Sequence, residues 1–220
     1  MNKASILGGA LVAAAALVSP SANAEDWYIG AGVGKSWIDT GDAKGQIDTT
    51  FRSLGATSSV TSDDSDNDTG YKLFVGYRFH PNFAVEGGYF NLGKFSVNST
   101  ITAGGATGLV HTEGKNKDGI NLDLIGLLPL DWYNFSLWAS VGVTHSKTEV
   151  NGSGAIGGTA FAFTGSQSDT NWKAGLGFRN DFNANWALRG GYERYRVPLG
   201  TPNGGDGDVN LWSFNVIYKF

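Results

Sequence analysis

Gly70-Tyr71-Lys72-Leu73-Phe74-Val75-Gly76-Tyr77-Arg78-Phe79 alternates with a period of two. Successive side chains of a strand point to opposite sides, so Tyr71, Leu73, Val75, Tyr77 and Phe79 share one face. Gly70, Lys72, Phe74, Gly76 and Arg78 share the other. One face is bulky and apolar; the other holds glycine, two cations and a single ring. Two later stretches repeat the pattern. Trp186, Leu188 and Tyr192 stand against Arg189 and Glu193, and Trp212, Phe214, Val216, Tyr218 and Phe220 against Ser213, Asn215 and Lys219. A soluble barrel would turn the bulky set inward. Small and charged side chains suit a narrow lumen better, and the bulky set suits lipid.

Extended along the chain, the same reading gives eight strands, at 27–38, 69–79, 83–97, 118–131, 135–147, 170–182, 186–197 and 208–220. Strands two, four and six end in short turns: His80-Pro81-Asn82, 131–134, and Asn183-Ala184-Asn185. Strands one, three, five and seven are followed by long segments rich in Gly, Ser, Thr, Asp and Asn, at 39–68, 98–117, 148–169 and 198–207. Short turns on one side and long loops on the other is the layout of an outer-membrane barrel with both ends in the periplasm. A sheet in hydrocarbon must close, because an open edge leaves amides unpaired. The expectation is an all-β, eight-stranded, antiparallel up-and-down transmembrane β-barrel with Trp and Tyr girdles, three short periplasmic turns and four mobile outer loops.

The N-terminus supplies the route. Lys3, the apolar run Ile6 to Val18, the break at Pro20-Ser21 and the small residues of Ala22-Asn23-Ala24 form a secretory signal, with cleavage expected after Ala24. The expected division is therefore a signal peptide at 1–24 and one barrel at 25–220. Loss of Lys3 takes the 16 Lys and Arg to 15 against 20 Asp and Glu, a net charge near −5 without basic runs. That balance argues against nucleic acid as a partner. Cysteine is absent, which removes disulfides, thiolate metal sites and a cysteine nucleophile. The 33 glycines and the 13% aromatic content fit a crowded inner wall and interfacial girdles.

These residues resemble the OmpA-like transmembrane domain family. Trp27-Tyr28-Ile29-Gly30-Ala31-Gly32 is similar to its first strand, and Gly76 through Tyr89, with the inward Glu86 followed by glycine, to its first hairpin. Leu128-Pro129-Leu130, Trp186-Ala187-Leu188-Arg189 and Val216-Ile217-Tyr218-Lys219-Phe220 resemble its fourth, seventh and last strands. The resemblance implies an outer-membrane location in a Gram-negative envelope and a structural, porin-like or surface-interaction role. There are two departures. The peptidoglycan-binding domain of larger members does not follow Phe220, and Ile125 stands where the family often has a lumen Lys, so its plug cannot be carried over whole.

Three motifs invite chemistry. Gly30 to Ser36 has the look of a phosphate loop, but Ile29 replaces the required first glycine and no helix follows. Asp63-Asp64-Ser65-Asp66-Asn67-Asp68 has the look of a calcium loop, but counted from Asp64 the sixth position is Thr69 and the twelfth Val75. His80, His111 and His145 fall on a turn, a loop and a lipid face, with no nucleophile and carboxylate gathered beside them. No catalysis, cofactor or metal is expected.

The inward charges are the most informative set: Lys72, Arg78, Glu86, Asp123, Lys173, Arg179, Arg189 and Glu193. If each short turn closes symmetrically, Phe79 pairs with Phe83 and Glu86 faces Gly76. Likewise Asp123 faces Gly142, Glu193 faces Gly175, and Arg179 faces Arg189. Each glycine would then leave room for a long cationic chain, and Glu86 would be the counter-charge for the two arginines. The cluster either holds the barrel together or gates a narrow path. Five cations against three anions would make an open lumen prefer anions. Phe214, Val216, Tyr218 and Phe220 resemble the terminal signal read by the outer-membrane assembly machinery. Expected partners are outer-membrane lipid, lipopolysaccharide and that machinery, around a monomer. The role is expected to be structural or surface-interacting, with a gated solute channel and an adhesin or host-factor binder as alternatives.

Overall fold

The computed structural model describes residues 27–38, 52, 58–65, 67–103, 105–130, 133–198 and 206–220. The signal peptide 1–24, its cleavage point and most of 39–57 lie outside them. Ten strands follow in order: β1 (Trp27–Ile38), β2 (Ser58–Ser65), β3 (Asn67–His80), β4 (Phe83–Asn91), β5 (Gly93–Ala103), β6 (Ala106–Pro129), β7 (Phe135–Ile156), β8 (Thr159–Asp181), β9 (Trp186–Pro198) and β10 (Asp206–Lys219). Antiparallel pairing runs β4-β3-β1-β10-β9-β8-β7 and closes through β6, which pairs with both β7 and β4. Eight strands thus form a ring. β5 continues β4 beyond Leu92, and β2 is added outside β5.

The two faces of each strand separate as their side-chain sizes dictate. Leu73, Leu122, Leu176 and Phe214 are exposed on the outer wall, at 55%, 57%, 62% and 75%. Such a band is costly in water and favourable in hydrocarbon. Aromatic pairs border it: Trp27 with Tyr77 and Trp186 with Tyr218, each at 4.9 Å, toward the short turns. Toward the long hairpins stand Tyr71 with Tyr89 and the row Trp37, Tyr192, Trp212.

Inside, two apolar clusters lie one above the other. Tyr28, Phe74, Ala84, Ile125, Leu127, Trp138, Ala187 and Ile217 fill the turn end. Ile38, Phe90, Leu92, Tyr195, Val197, Val209 and Leu211 fill the opposite end. Ile125, in place of a cation, is a member of the lower cluster.

Two expectations are corrected. Within the expected loops, 98–103, 106–116, 148–156 and 159–169 are the upper halves of strands, paired as β5 with β6, β6 with β7, and β7 with β8, and 58–65 of the expected loop 39–68 form β2 against β5. A spanning strand needs only about 9–11 residues, whereas β6, β7 and β8 have 24, 22 and 23. A sheet in the order β2-β5-β6-β7-β8 therefore rises beyond the membrane. Ser, Thr, Asn and Gly stand on both faces around a few buried side chains such as Ile101, Val110 and Val150, which blurs the period, while backbone pairing needs no such period. The turn at Gly157 and Gly158, with φ of 58° and 82°, is a two-residue hairpin that glycine alone adopts easily. The second correction is a bulge. His80, not Phe79, pairs with Phe83, so the first turn closes asymmetrically. The rings of Phe79 and Phe83 still stack at 6.4 Å on the lipid face.

Candidate functional site

Between the two apolar clusters lies a layer of buried ions. Lys72 from β3, Glu86 from β4, Asp123 from β6, Lys173 from β8, and Arg189 and Glu193 from β9 are all buried. Parity places them there: each shares its strand face with glycine or small residues and opposes the lipid-facing row. Lys173 Nζ donates to Asp123 Oδ2 at 2.7 Å and to Glu193 Oε1 at 2.8 Å. Lys72 donates to the other oxygen of Glu193. Arg189 grips Glu86 with two nitrogens, at 2.5 and 2.9 Å, and Tyr28 donates its hydroxyl to the same carboxylate at 2.7 Å. Bidentate and multiply donated carboxylates of this kind are the strong form of ion pair.

The cations also rest on rings. Arg189 lies 4.5 Å from the Phe74 ring and 5.1 Å from that of Trp138, both in the lower cluster. Lys173 lies 4.8 Å from Tyr195 of the upper cluster. The ion layer is therefore bonded to its apolar lids as well as to itself.

Arg179 and Arg78 do not join this layer. Arg179 faces Arg189 across the β8–β9 hairpin in the expected register, but its guanidinium turns away to Asp181, at 2.9 and 3.0 Å. Lys219 joins Asp181 at 2.5 Å. Glu86 is thus the counter-charge of Arg189 alone, because Asp181 lies two residues from Arg179 on the same face. Arg78 is half-buried near the turn end and makes no ion pair among the described residues. The central layer holds three cations and three anions, so the expected excess of two cations lies outside it, at Arg78 and Arg179 toward the turn end.

The opposed pairs Gly76–Glu86, Gly142–Asp123 and Gly175–Glu193 are all present. The space beside each glycine serves another purpose than expected. A side chain at Gly76 would meet the Tyr28 ring at 2.1 Å; at Gly142, the Asp123 carboxylate at 2.0 Å; at Gly175, Glu193 Cγ at 2.7 Å. The glycines admit the carboxylates themselves and a ring, not a distant cation. Gly76→Val is therefore expected to destabilise the barrel by about 1–3 kcal/mol, since the Tyr28 ring is fixed by its bond to Glu86. Urea unfolding of the refolded variant in lipid vesicles checks this; unchanged stability would show that the ring can move aside.

Sequence reading missed Tyr28, Trp138, Asp181 and Tyr195, and left Lys219 out of the inward charges although it had placed it on the inward face. Asp181 and Lys219 carry a signal that parity could have used, since each continues an inward face. Tyr28, Trp138 and Tyr195 share the inward parity of Gly30, Ser140 and Glu193, but parity does not say that a ring there meets an ion.

The remaining candidates are dispersed. Gly30, Gly32 and Gly34 lie within the continuous β1. A side chain at Gly30 would meet the Phe74 ring at 2.1 Å, so the glycines there serve packing. Asp68 accepts from the amides of Thr69 and Lys94, at 2.7 and 2.8 Å. The side chains of Asp63 and Asp64, and Asp66 as a whole, lie outside the description. His80 Nδ1 accepts from the Asn82 amide, His111 bonds Asn98, and His145 bonds Thr170. The three imidazoles sit on separate elements. Phe214, Val216 and Phe220 are exposed, and Tyr218 half-buried, along the lipid face of β10 and its end.

Closed strand ring, outer apolar band, double girdle and enclosed ions together define a transmembrane β-barrel of Gram-negative outer-membrane type. Residues 6–220 match the family model described as the outer membrane protein beta-barrel domain, and the chain belongs to that family. No curated protein matches it in sequence. Among solved structures it is similar to the outer-membrane protease OmpT of Escherichia coli, with 12% identity over 92% of this chain and 99% of that one, at a TM-score of 0.50. It is similar also to Ail, the attachment invasion locus protein of Yersinia pestis, with 16% identity over 89% and 99% at a TM-score of 0.44. The N-terminal β-barrel domain of Pseudomonas aeruginosa OprF gives 13% identity over 89% and 98% at 0.45. Identities this low speak of fold alone.

Proposed function

We propose that this protein is a non-catalytic element of the outer membrane, exported by the 1–24 leader with removal after Ala24, and acting as a monomer through its raised sheet. The observation that carries the reading is the lumen: a charge-balanced ion layer sealed above and below by apolar clusters. Ions enter a dry, ring-packed constriction only at high cost. A gated channel would need both lids and the salt bridges to open together. The dispersal of the three histidines gives no support to hydrolysis. Lipid and lipopolysaccharide surround the outer band, and the lipid-facing row Phe214, Val216, Tyr218 and Phe220 is the surface offered to the assembly machinery.

Planar-bilayer recording tests the closed lumen. The purified mature barrel is expected to show no unitary current in about 1 M KCl, and regular conductance steps would favour the channel instead. Role in surface contact is read separately. Trimming β6–β7–β8 above the membrane, by removal of 106–114 and 151–164, should leave the heat-dependent gel shift intact and abolish whatever surface interaction intact cells show.

A further inference from the structure

Four asparagines stand two residues before a serine or threonine: Asn67, Asn98, Asn134 and Asn151. Asn-x-Ser/Thr is the acceptor pattern for an N-linked saccharide in exported chains. The hydroxyl can fold back on the amide and ready its nitrogen. Transfer to an exported chain precedes folding. The folded barrel then decides which product it tolerates, since the saccharide must end in open space.

Three of the four meet that requirement poorly. Asn67 is already engaged with a neighbour at the start of β3. Asn98 is half-buried and bonded to His111 at 2.7 Å. Asn134 lies in the tight turn below the barrel, with a φ of 58° and Ser136 half-buried two residues on. Asn151 differs. It is exposed, and its amide has no side-chain partner among the described residues.

Alternation puts Glu149, Asn151 and Ser153 on one face of β7, the outer face that lower down carries Val141 and Val143. Asn151 stands eight residues beyond Val143. That is roughly 27 Å along the strand, well clear of the hydrocarbon. Its neighbours on β8 are small: Thr164 lies opposite Asn151 and Ala162 opposite Ser153, both exposed. Gly152, between acceptor and hydroxyl, lets the unfolded chain turn with little strain. Glu149 is the one acidic residue two places before any of the four asparagines. It sets a carboxylate on the acceptor's own side, where a cationic transferase gains a second contact. In the folded strand Glu149 pairs with Lys147 at 2.9 Å and leaves Asn151 unclaimed.

We propose that Asn151 receives an N-linked saccharide during export, from a periplasmic transferase that uses a lipid pyrophosphate carrier. A bond forms between Asn151 Nδ2 and the anomeric carbon of the saccharide. The bond from that carbon to the pyrophosphate oxygen breaks, and the lipid pyrophosphate leaves with the electron pair. The amide proton passes to a base of the transferase, and no oxidant or reductant takes part. In the closed barrel the saccharide extends sideways from the outer face of β7 over the lipopolysaccharide. The modification does not depend on what the raised sheet contacts.

Mass spectrometry of the mature protein, purified from the outer membrane of its own cells, tests the site. The peptide that bears Asn151 should exceed its sequence mass by a whole number of saccharide residues. Asn151→Gln and Ser153→Ala should each remove that mass and keep the gel shift, Ser153→Thr should retain it, and Glu149→Gln should lower occupancy at least threefold. A peptide at its sequence mass, or one changed only by conversion of the Asn151 amide to an acid, would overturn the proposal. So would added mass that survives Asn151→Gln. Because a variant can fail to fold, a synthetic peptide of residues 147–155 is also offered to membranes of the same cells with their lipid-linked saccharide. It should gain the saccharide, and a peptide left unmodified would overturn the assignment.

Discussion

Replacing Lys173 by Met should lower the unfolding free energy of the refolded barrel by about 3–5 kcal/mol, the usual cost of stranding a buried carboxylate. Lys173 is the only described cation bonded to Asp123, and it shares Glu193 with Lys72. Met fills similar volume and rests equally well on Tyr195, so the loss would be electrostatic rather than steric. Urea titration in lipid vesicles, followed by tryptophan fluorescence and by gel mobility, measures it. Adding Asp123→Asn to Lys173→Met should restore a large part of the loss, because the neutral amide no longer needs a counter-ion. A single variant as stable as the parent would mean that water reaches the ion layer and that the lumen is not sealed.

Arg189→Met should cost a similar amount, about 3–5 kcal/mol, by leaving Glu86 with only the Tyr28 hydroxyl. Here the paired removal is the sharper experiment. Glu86→Gln with Arg189→Met keeps an acceptor for Tyr28 and lays an apolar chain between Phe74 and Trp138, where the guanidinium lay. Exchange of a buried pair for groups of similar volume is often neutral, so the double variant should lie within about 1–2 kcal/mol of the parent. Additive losses would contradict the assignment of these two residues to one bonded unit.

The membrane-facing half of the barrel was legible because lipid imposes a strict contrast on alternate side chains. β1 runs from Trp27 to Ile38 as expected, and the opposed pairs at Gly142 and Gly175 follow from turn lengths alone, while the bulge before His80 restores the expected pair at Gly76. Beyond the bilayer that contrast lapses. Ser, Thr and Gly on both faces of 98–117 and 148–169 look like loops, yet Gly157-Gly158 between two β-prone runs was a hairpin signal in plain view. In the lumen, parity told which charges point inward but not how they pair. Arg179 chose Asp181 through a contact two residues along its own strand, and Tyr28 supplied a hydrogen bond that composition could not announce.

The most direct test of the whole account is the solvent that the folded mature chain requires. Diluted from urea into detergent micelles or lipid vesicles, it should fold to a compact species whose gel mobility shifts on boiling, and diluted into plain buffer it should aggregate. A chain that instead stays folded and monomeric in buffer without amphiphile would place the Leu73, Leu122, Leu176 and Phe214 face against water and contradict the assignment of the outer wall to lipid.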